Sequence, residues 1–99
     1  MTATTRTMQA DADIVFNTAS DDTRALAWLP PSLRTCETVV HTEERALEWR
    51  RDDVQQAYLR VAPGGAGTSE VELRIPDDTD GDGALRALEA EVADNFTAG

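Results

Sequence analysis

The strongest constraint on the fold is an alternation of apolar and polar residues just before Pro76. Within residues 69–75, the apolar Val71, Leu73 and Ile75 alternate with charged residues. Because successive side chains of a strand point to opposite faces of a sheet, this pattern predicts a strand with one buried and one solvated face. Strands of this kind are typical of antiparallel sheets, and the buried face needs a cover from elsewhere in the chain.

A second pattern supplies that cover. Residues 84–96 are predicted to form an amphipathic helix, because their apolar residues recur at spacings of three and four and fall in one stripe. The stripe consists of Leu85, Leu88, Val92 and Phe96. An acidic, glycine-rich loop at 77–83 precedes the helix, and Asp80 or Asp82 is predicted to cap its first turn.

The remaining elements follow from shorter patterns. Residues 3–8 are rich in β-branched threonine and are predicted to form an edge strand. Two short helices are predicted next, the first within 11–20 and the second ending at Pro30, because the residue before a proline avoids helical geometry. Three more strands are predicted at 33–41, 45–51 and 54–62. The order predicts an α+β fold, a curved antiparallel sheet of about five strands with two short N-terminal helices and a long C-terminal helix packed on it.

Length and charge exclude several classes of function. The 99 residues suit one domain over 1–99, and 19 acidic against 9 basic residues give a net charge of −10. Nucleic acids and anionic membranes would be repelled, so we expect neither as a partner. Every basic residue is arginine, which excludes a Schiff-base lysine or a phosphate-loop lysine. A single cysteine and the lack of an apolar N-terminal run predict a cytoplasmic protein.

Two segments carry a resemblance to a known family. Residues 10–31 contain Val15-Phe16, Ser20-Asp21 and Trp28-Leu29-Pro30, and residues 58–75 read as a strand, a glycine-rich turn and a Thr-Ser-Glu-Val strand. With the order of elements, these motifs resemble a shortened member of the START-like (SRPBCC) superfamily, which includes polyketide cyclases and lipid-transfer domains. The resemblance implies a helix-grip fold in which the sheet wraps the long C-terminal helix. Family members usually have six or seven strands, so five would narrow the sheet and shrink any cavity.

The resemblance also implies a cavity for an apolar small molecule between the sheet and the C-terminal helix. The residues that it implies as ligand contacts are Trp28, Trp49, Tyr58, Leu59, Leu73, Leu85, Leu88 and Val92. Tyr58 belongs to this set only if its face of the 54–62 strand looks inward, because a shift of one residue exchanges the two faces. The alternative interpretation is that these side chains fill a solid core, since a void of about 300 Å³ would weaken so small a domain.

Three functions remain open at this stage. The first is binding of an apolar small molecule, and the second is protein interaction or homodimerisation through an open sheet edge. The third is a cyclase or aromatase activity, for which Tyr58, Arg60 and His41 are the polar residues available for proton transfer. We rank them in this order and expect no catalytic residue and no cofactor.

Two motifs are similar to a metal-binding site and to a catalytic pair, but each has a structural interpretation. The acidic loop matches the calcium-binding pattern D-x-D-x-D-G-x5-E through Asp78, Asp80, Asp82 and Glu89. A strand and a proline precede this loop where an EF-hand calcium loop needs a helix, so we interpret it as a helix-capping turn and predict no metal site. A calcium site of a different kind is the alternative interpretation. Cys36 and His41 would suit a nucleophile and its base, but residues five apart on one strand point to opposite faces.

Overall fold

The computed structural model describes residues 2–98, and side chains for residues 2–95. Its five strands are β1 (Thr2–Met8), β2 (Glu37–His41), β3 (Ala46–Arg51), β4 (Val54–Gly65) and β5 (Thr68–Ile75). They pair in antiparallel fashion in the order β1-β5-β4-β3-β2, so that β1 and β2 form the two edges. The predicted five-stranded curved sheet is therefore confirmed.

The helices are α1 (Ala12–Ser20), α2 (Asp22–Trp28) and α3 (Gly81–Ala98). α1 and α3 pack on the sheet, and α2 packs on α3. Asp21 separates the two short helices, because its extended backbone ends α1 while its carboxylate accepts a hydrogen bond from the Thr23 amide at 2.9 Å. Among the described residues, no helix combines the length and the apolar character that a bilayer span requires. The α+β class is confirmed.

The register of the sheet decides which side chains reach the helices. Leu59 in β4 lies between Leu47 of β3 and Leu73 of β5, and all three are fully buried. Tyr58 and Arg74 form a cross-strand pair on the opposite face. The inward face of β4 is therefore the one that carries Leu59.

One predicted strand begins later than expected. β2 starts at Glu37 rather than at residue 33, because residues 31–33 form a 3₁₀ turn. In that turn the Leu33 amide donates to the Pro30 carbonyl at 2.9 Å, and the Leu33 side chain is 2% exposed. Leu33 is thus anchored in the core rather than in the sheet, and strand pairing begins where Glu37 meets Arg50.

The long helix begins earlier than expected, at Gly81 rather than at residue 84. Of the two aspartates predicted as caps, Asp80 is the one that does so, since its carboxylate accepts from the Gly83 amide at 2.9 Å. A Cβ atom at Gly81 would lie 2.8 Å from Thr4 Oγ1 and 3.1 Å from Ile75 Cδ1. Glycine is therefore needed at this position because the start of α3 closely approaches both β1 and β5.

Polar contacts at several points tie α3 to the rest of the domain. Arg6 on β1 reaches Glu89 at 2.8 Å, and Arg24 on α2 reaches Glu91 at 3.2 Å. These pairs are partly exposed, and such pairs contribute at most about 1 kcal/mol each. Most of the stabilisation comes instead from the apolar stripe of α3, whose Leu85 and Leu88 are fully buried. The side chain of Phe96, the last residue of the predicted stripe, lies outside the described residues.

The close approach of α3 to β1 and β5 at Gly81 predicts how alanine at this position changes the free energy of unfolding. Helix propensity and steric overlap would change it in opposite directions. Alanine favours a helix over glycine by about 1 kcal/mol, so Gly81→Ala would stabilise the domain if the site were open. We expect it instead to lower the free energy of unfolding by about 1–3 kcal/mol, because the new methyl group overlaps Thr4 and Ile75. Urea unfolding measures the change. Thr4→Ala in the Gly81→Ala background should recover part of the loss, whereas simple additivity of the two changes would contradict the clash.

Candidate functional site

A groove of about 680 Å³ opens where three connections meet at the N-terminal end of α3. Its walls are the segment 28–34 that leads from α2 towards β2, the end of the β3–β4 hairpin, and the segment 76–84 that joins β5 to α3. Pockets for small molecules measure about 300–1,000 Å³. The groove is therefore large enough to hold one.

Trp28 lies at the base of this groove with a small part of its ring exposed. Its side chain is 3% exposed, and its ring packs edge-to-face on Trp49 with the ring centroids 5.8 Å apart. The indole Nε1 of Trp28 is buried and has no hydrogen-bond partner among the described residues. A buried N–H without an acceptor costs about 1–3 kcal/mol. An acceptor brought to this nitrogen would therefore stabilise the site.

Two arginines on the groove wall are held in place by neutral acceptors. The Arg51 Nη2 atom donates to the Ser32 carbonyl at 2.9 Å and to Thr35 Oγ1 at 2.7 Å. Arg34 donates to two backbone carbonyls at the end of α2, at 3.0 and 2.9 Å. These bonds fix both side chains without neutralising their charge.

The β3–β4 hairpin explains why Arg51 and Gln56 reach the groove. Asp52 and Asp53 form a two-residue turn with positive φ angles of 53° and 63°, a geometry that matches the twist of a tight hairpin. Arg51 follows Trp49 at the strand period of two and so shares its inward face. The β3–β4 register shifts beside Trp49, which leaves Gln56 without a partner on β3 and lets it line the groove.

The third wall is acidic. Asp78 and Asp80 both line the groove, on the segment that leads into α3. The carboxylate of Asp80 caps α3, and the partial positive charge of the helix start offsets its negative charge. The groove thus has an arginine wall and an acidic wall, with an apolar base of tryptophan and proline.

The residues predicted as ligand contacts occupy three different places. Trp28 lines the groove. Six others face inward in the apolar core, namely Trp49, Leu59, Leu73, Leu85, Leu88 and Val92. Four of these six, the leucines, have no exposed surface. A water-sized sphere cannot reach them, so protein fills the space around them.

Tyr58 lies on the outer face of the sheet, opposite the helices, and does not join the inward set. Arg60 shares this face, where it pairs across the strands with Glu72. His41 lies there as well, with its Nε2 atom 3.6 Å from a carboxylate oxygen of Glu48. The three polar residues considered for proton transfer are therefore separated from the groove by the sheet.

Glu48 is the centre of a polar network on the outer face. Gln55 donates to its Oε2 atom at 2.6 Å, and Arg50 lies 3.4 Å from its Oε1 atom. The hydrogen bond from Gln55, followed by the charge of Arg50, holds the pKa of Glu48 below its ordinary value. Glu48 therefore stays ionised at neutral pH, which suits a structural pair rather than a proton donor.

The acidic loop is organised as a helix cap. Glu89, the last ligand of the calcium pattern, is paired with Arg6, and Asp80 is bound to the Gly83 amide. Among the residues that the structure describes, no three candidate metal ligands converge on one point. Cys36 precedes β2, with its Sγ atom 4.0 Å from the Ser32 carbonyl, and does not approach His41.

Solved structures of other proteins share the overall fold of this chain. Protein CV1439 from Chromobacterium violaceum aligns over 92% of this chain and 95% of its own, with a TM-score of 0.53 and 18% identity. Norcoclaurine synthase from Thalictrum flavum, a point mutant in complex with a transition-state analogue, aligns over 98% and 93%, with a TM-score of 0.51 and 14% identity. An aromatase/cyclase from a Streptomyces species aligns over 98% and 86%, with a TM-score of 0.50 and 17% identity.

These similarities establish the fold. The chain shares the overall fold of these proteins, which agrees with the helix-grip architecture that the sequence motifs indicated. No protein-family model matches the chain, and no curated protein matches it in sequence. What the chain binds is therefore argued from its own residues below.

The sequence contains a signal for Arg51. Leu47, Trp49 and Arg51 follow one another at the strand period, so the inward face of β3 runs from two apolar residues to a cation. Arg34 had no such signal. Its position depends on the 3₁₀ turn at Pro31–Leu33, which sequence periodicity does not reveal.

The cap at the start of α3 gives a prediction that distinguishes Asp80 from Asp82. Asp80→Ala should lower the free energy of unfolding by about 1 kcal/mol, because it removes the cap on the Gly83 amide. Asp82→Ala serves as the matched control and should change it by less than about 0.5 kcal/mol, since the ion pairs of Asp82 with Arg86 at 3.1 Å and with Arg6 at 4.0 Å are both partly exposed to solvent. Thermal and urea unfolding measure both changes. Equal losses in the two variants would contradict the assignment of Asp80 as the cap.

Proposed function

We propose that this chain is a small-molecule-binding domain whose ligand lies in the groove at the N-terminal end of α3. The observation that carries the proposal is Trp28, which places an apolar ring at the base of a groove of about 680 Å³ and has a buried N–H without an acceptor among the described residues. The START-like fold supports it, because two of the structures that share the fold are named as a synthase and an aromatase/cyclase.

The proposal places the ligand at the end of the interface between the sheet and α3 rather than deep within it. Trp28 contacts the ligand directly, and Trp49 supports the Trp28 ring from behind through their edge-to-face contact. The inward residues Leu59, Leu73, Leu85, Leu88 and Val92 form the packed core beneath. They maintain the shape of the site without touching the ligand.

A nitrogen–proton correlation spectrum, titrated with flat aromatic and acyl compounds, tests this proposal. We expect the largest shifts at the Trp28 indole and at the amides of Gln56, Thr79 and Ala84, which line the groove. The Trp28 indole signal should shift more than the Trp49 indole signal, because Trp28 lines the groove and Trp49 does not. No shift with any compound would overturn the proposal.

A matched pair of variants locates the site. Thr79→Phe places a ring in the groove and should weaken binding at least tenfold, whereas Thr7→Phe adds the same ring on the exposed outer face of β1 and should leave binding unchanged. Shifts centred on Leu59 and Leu73 that persist in Thr79→Phe would mean that ligands enter the core, and would contradict the groove.

Homodimerisation through β2 is a second candidate function, favoured by the composition of that edge strand. Val40 is 48% exposed there, although its strand partner Leu47 is fully buried. Antiparallel pairing of two copies about Val39 would bring Glu37 of one chain opposite His41 of the other, a complementary pair once the imidazole is protonated. Each chain has a net charge of −10, so salt should strengthen the association.

Sedimentation equilibrium measures this association. We expect dimers at about 100 µM protein in 0.5 M NaCl, and fewer at low salt. Val40→Lys should abolish them, because a charged side chain at an edge strand blocks edge-to-edge pairing. Thr5→Lys, on the opposite edge strand β1, is the control and should leave the dimer intact. A strict monomer under all conditions would exclude this function.

A further inference from the structure

The arginines on the groove differ from most of the others in the chain. Six of the nine arginines, all described by the structure, have a carboxylate within 4.0 Å: Arg6, Arg24, Arg45, Arg50, Arg74 and Arg86. No such ion pair to a described carboxylate involves Arg34, Arg51 or Arg60. Arg34 and Arg51 both line the groove. In a chain with 19 acidic residues, this leaves a local positive wall in an otherwise acidic protein.

The donors on this wall are already positioned. Arg51 is anchored through its Nη2 atom alone, and its Nε and Nη1 atoms donate to none of the described residues. Two backbone carbonyls hold Arg34, and the Trp28 Nε1–H has no acceptor. Because these donors are fixed before any ligand arrives, a ligand that brings acceptors pays little further ordering cost.

We propose that the groove selects an organic carboxylate, a small acid with an apolar body. This inference rests on the proposed function and names the chemical class of its ligand. The body packs on Trp28 and the prolines at 30 and 31. The carboxylate accepts a charge-assisted hydrogen bond from Nη1 of Arg51, because both protons of Nη2 are already bound to Ser32 and Thr35. Asp78 repels the anion from the acidic wall and so favours one orientation of the ligand.

A matched pair of ligands tests the inference. Naphthylacetate and naphthylethanol share one apolar body and differ in whether the end group is a carboxylate or a hydroxyl. Isothermal titration calorimetry at low salt should show the acid binding roughly twofold to fivefold more tightly, the size expected for a partly exposed charged pair. The preference should shrink in 0.5 M NaCl, because salt screens the charge on the guanidinium.

Variants then assign the preference to one residue. Arg51→Gln should remove the preference for the acid while the alcohol still binds, which shows that the groove remains folded. Arg51→Lys should retain part of the preference, because the charge remains but the guanidinium that Ser32 and Thr35 hold in place is lost. Arg60→Gln is the matched control, since Arg60 lies on the outer face opposite Glu72 and, like Arg51, has no described carboxylate within 4.0 Å.

Each outcome bears on a different claim. Equal affinity for acid and alcohol would overturn the inference and leave the proposed function standing. Binding of neither compound would count against both. An equal loss of preference in Arg60→Gln and Arg51→Gln would mean that net charge alone steers the acid, which would also overturn the assignment to the groove.

Discussion

The packing of α3 on the inward face of the sheet is the contact on which the rest of the structure depends. A sheet with one apolar face exposes that face until something covers it, and in this chain the stripe of Leu85, Leu88 and Val92 does so. An internal void would cost about 24 cal/mol per Å³, so a cavity of about 300 Å³ would cost about 7 kcal/mol. That is comparable with the whole stability of a small domain, about 5–15 kcal/mol. A core filled by side chains is the expected solution, and Leu59 and Leu73 are packed in that way.

The filled core places the accessible binding surface at the rim of the domain. At the start of α3 the helix stripe has not yet begun, and the hairpin and loop segments leave a groove where Trp28 closes the end of the core. Three structural features of the fold lie beside this groove. Gly81 permits the close approach of helix and sheet, Asp80 caps the helix, and the two-residue turn brings Arg51 to the wall. Gly81 and Asp80, which shape the start of α3, therefore lie close to the groove residues Trp28 and Arg51.

The sequence predicted the fold well, because its apolar residues recur at the spacings of strands and helices. The alternation in residues 69–75 and the stripe in 84–96 specify a strand and a helix directly. The register of β4 was not predictable, since a one-residue slip reverses its faces, and this is why Tyr58 was grouped with inward residues. The groove was harder to predict, because Arg34, Arg51 and Asp78 come from three connections that only the folded chain brings together. The predicted cap at Asp80 is confirmed, and Gly81 and Gly83 belong to the first helical turn.

The central claim is that the space between the sheet and α3 is filled at the depth of Leu59, Leu73 and Leu88, so that ligands bind at the rim. Methyl spectra recorded under xenon pressure test it most directly, because xenon enters dry apolar cavities. We predict no xenon-induced shifts at these three leucines in the natural chain, and clear shifts in Leu73→Ala, where a cavity is created deliberately. Shifts of these methyl groups in the natural chain, comparable with those in the variant, would show an interior cavity and contradict the account.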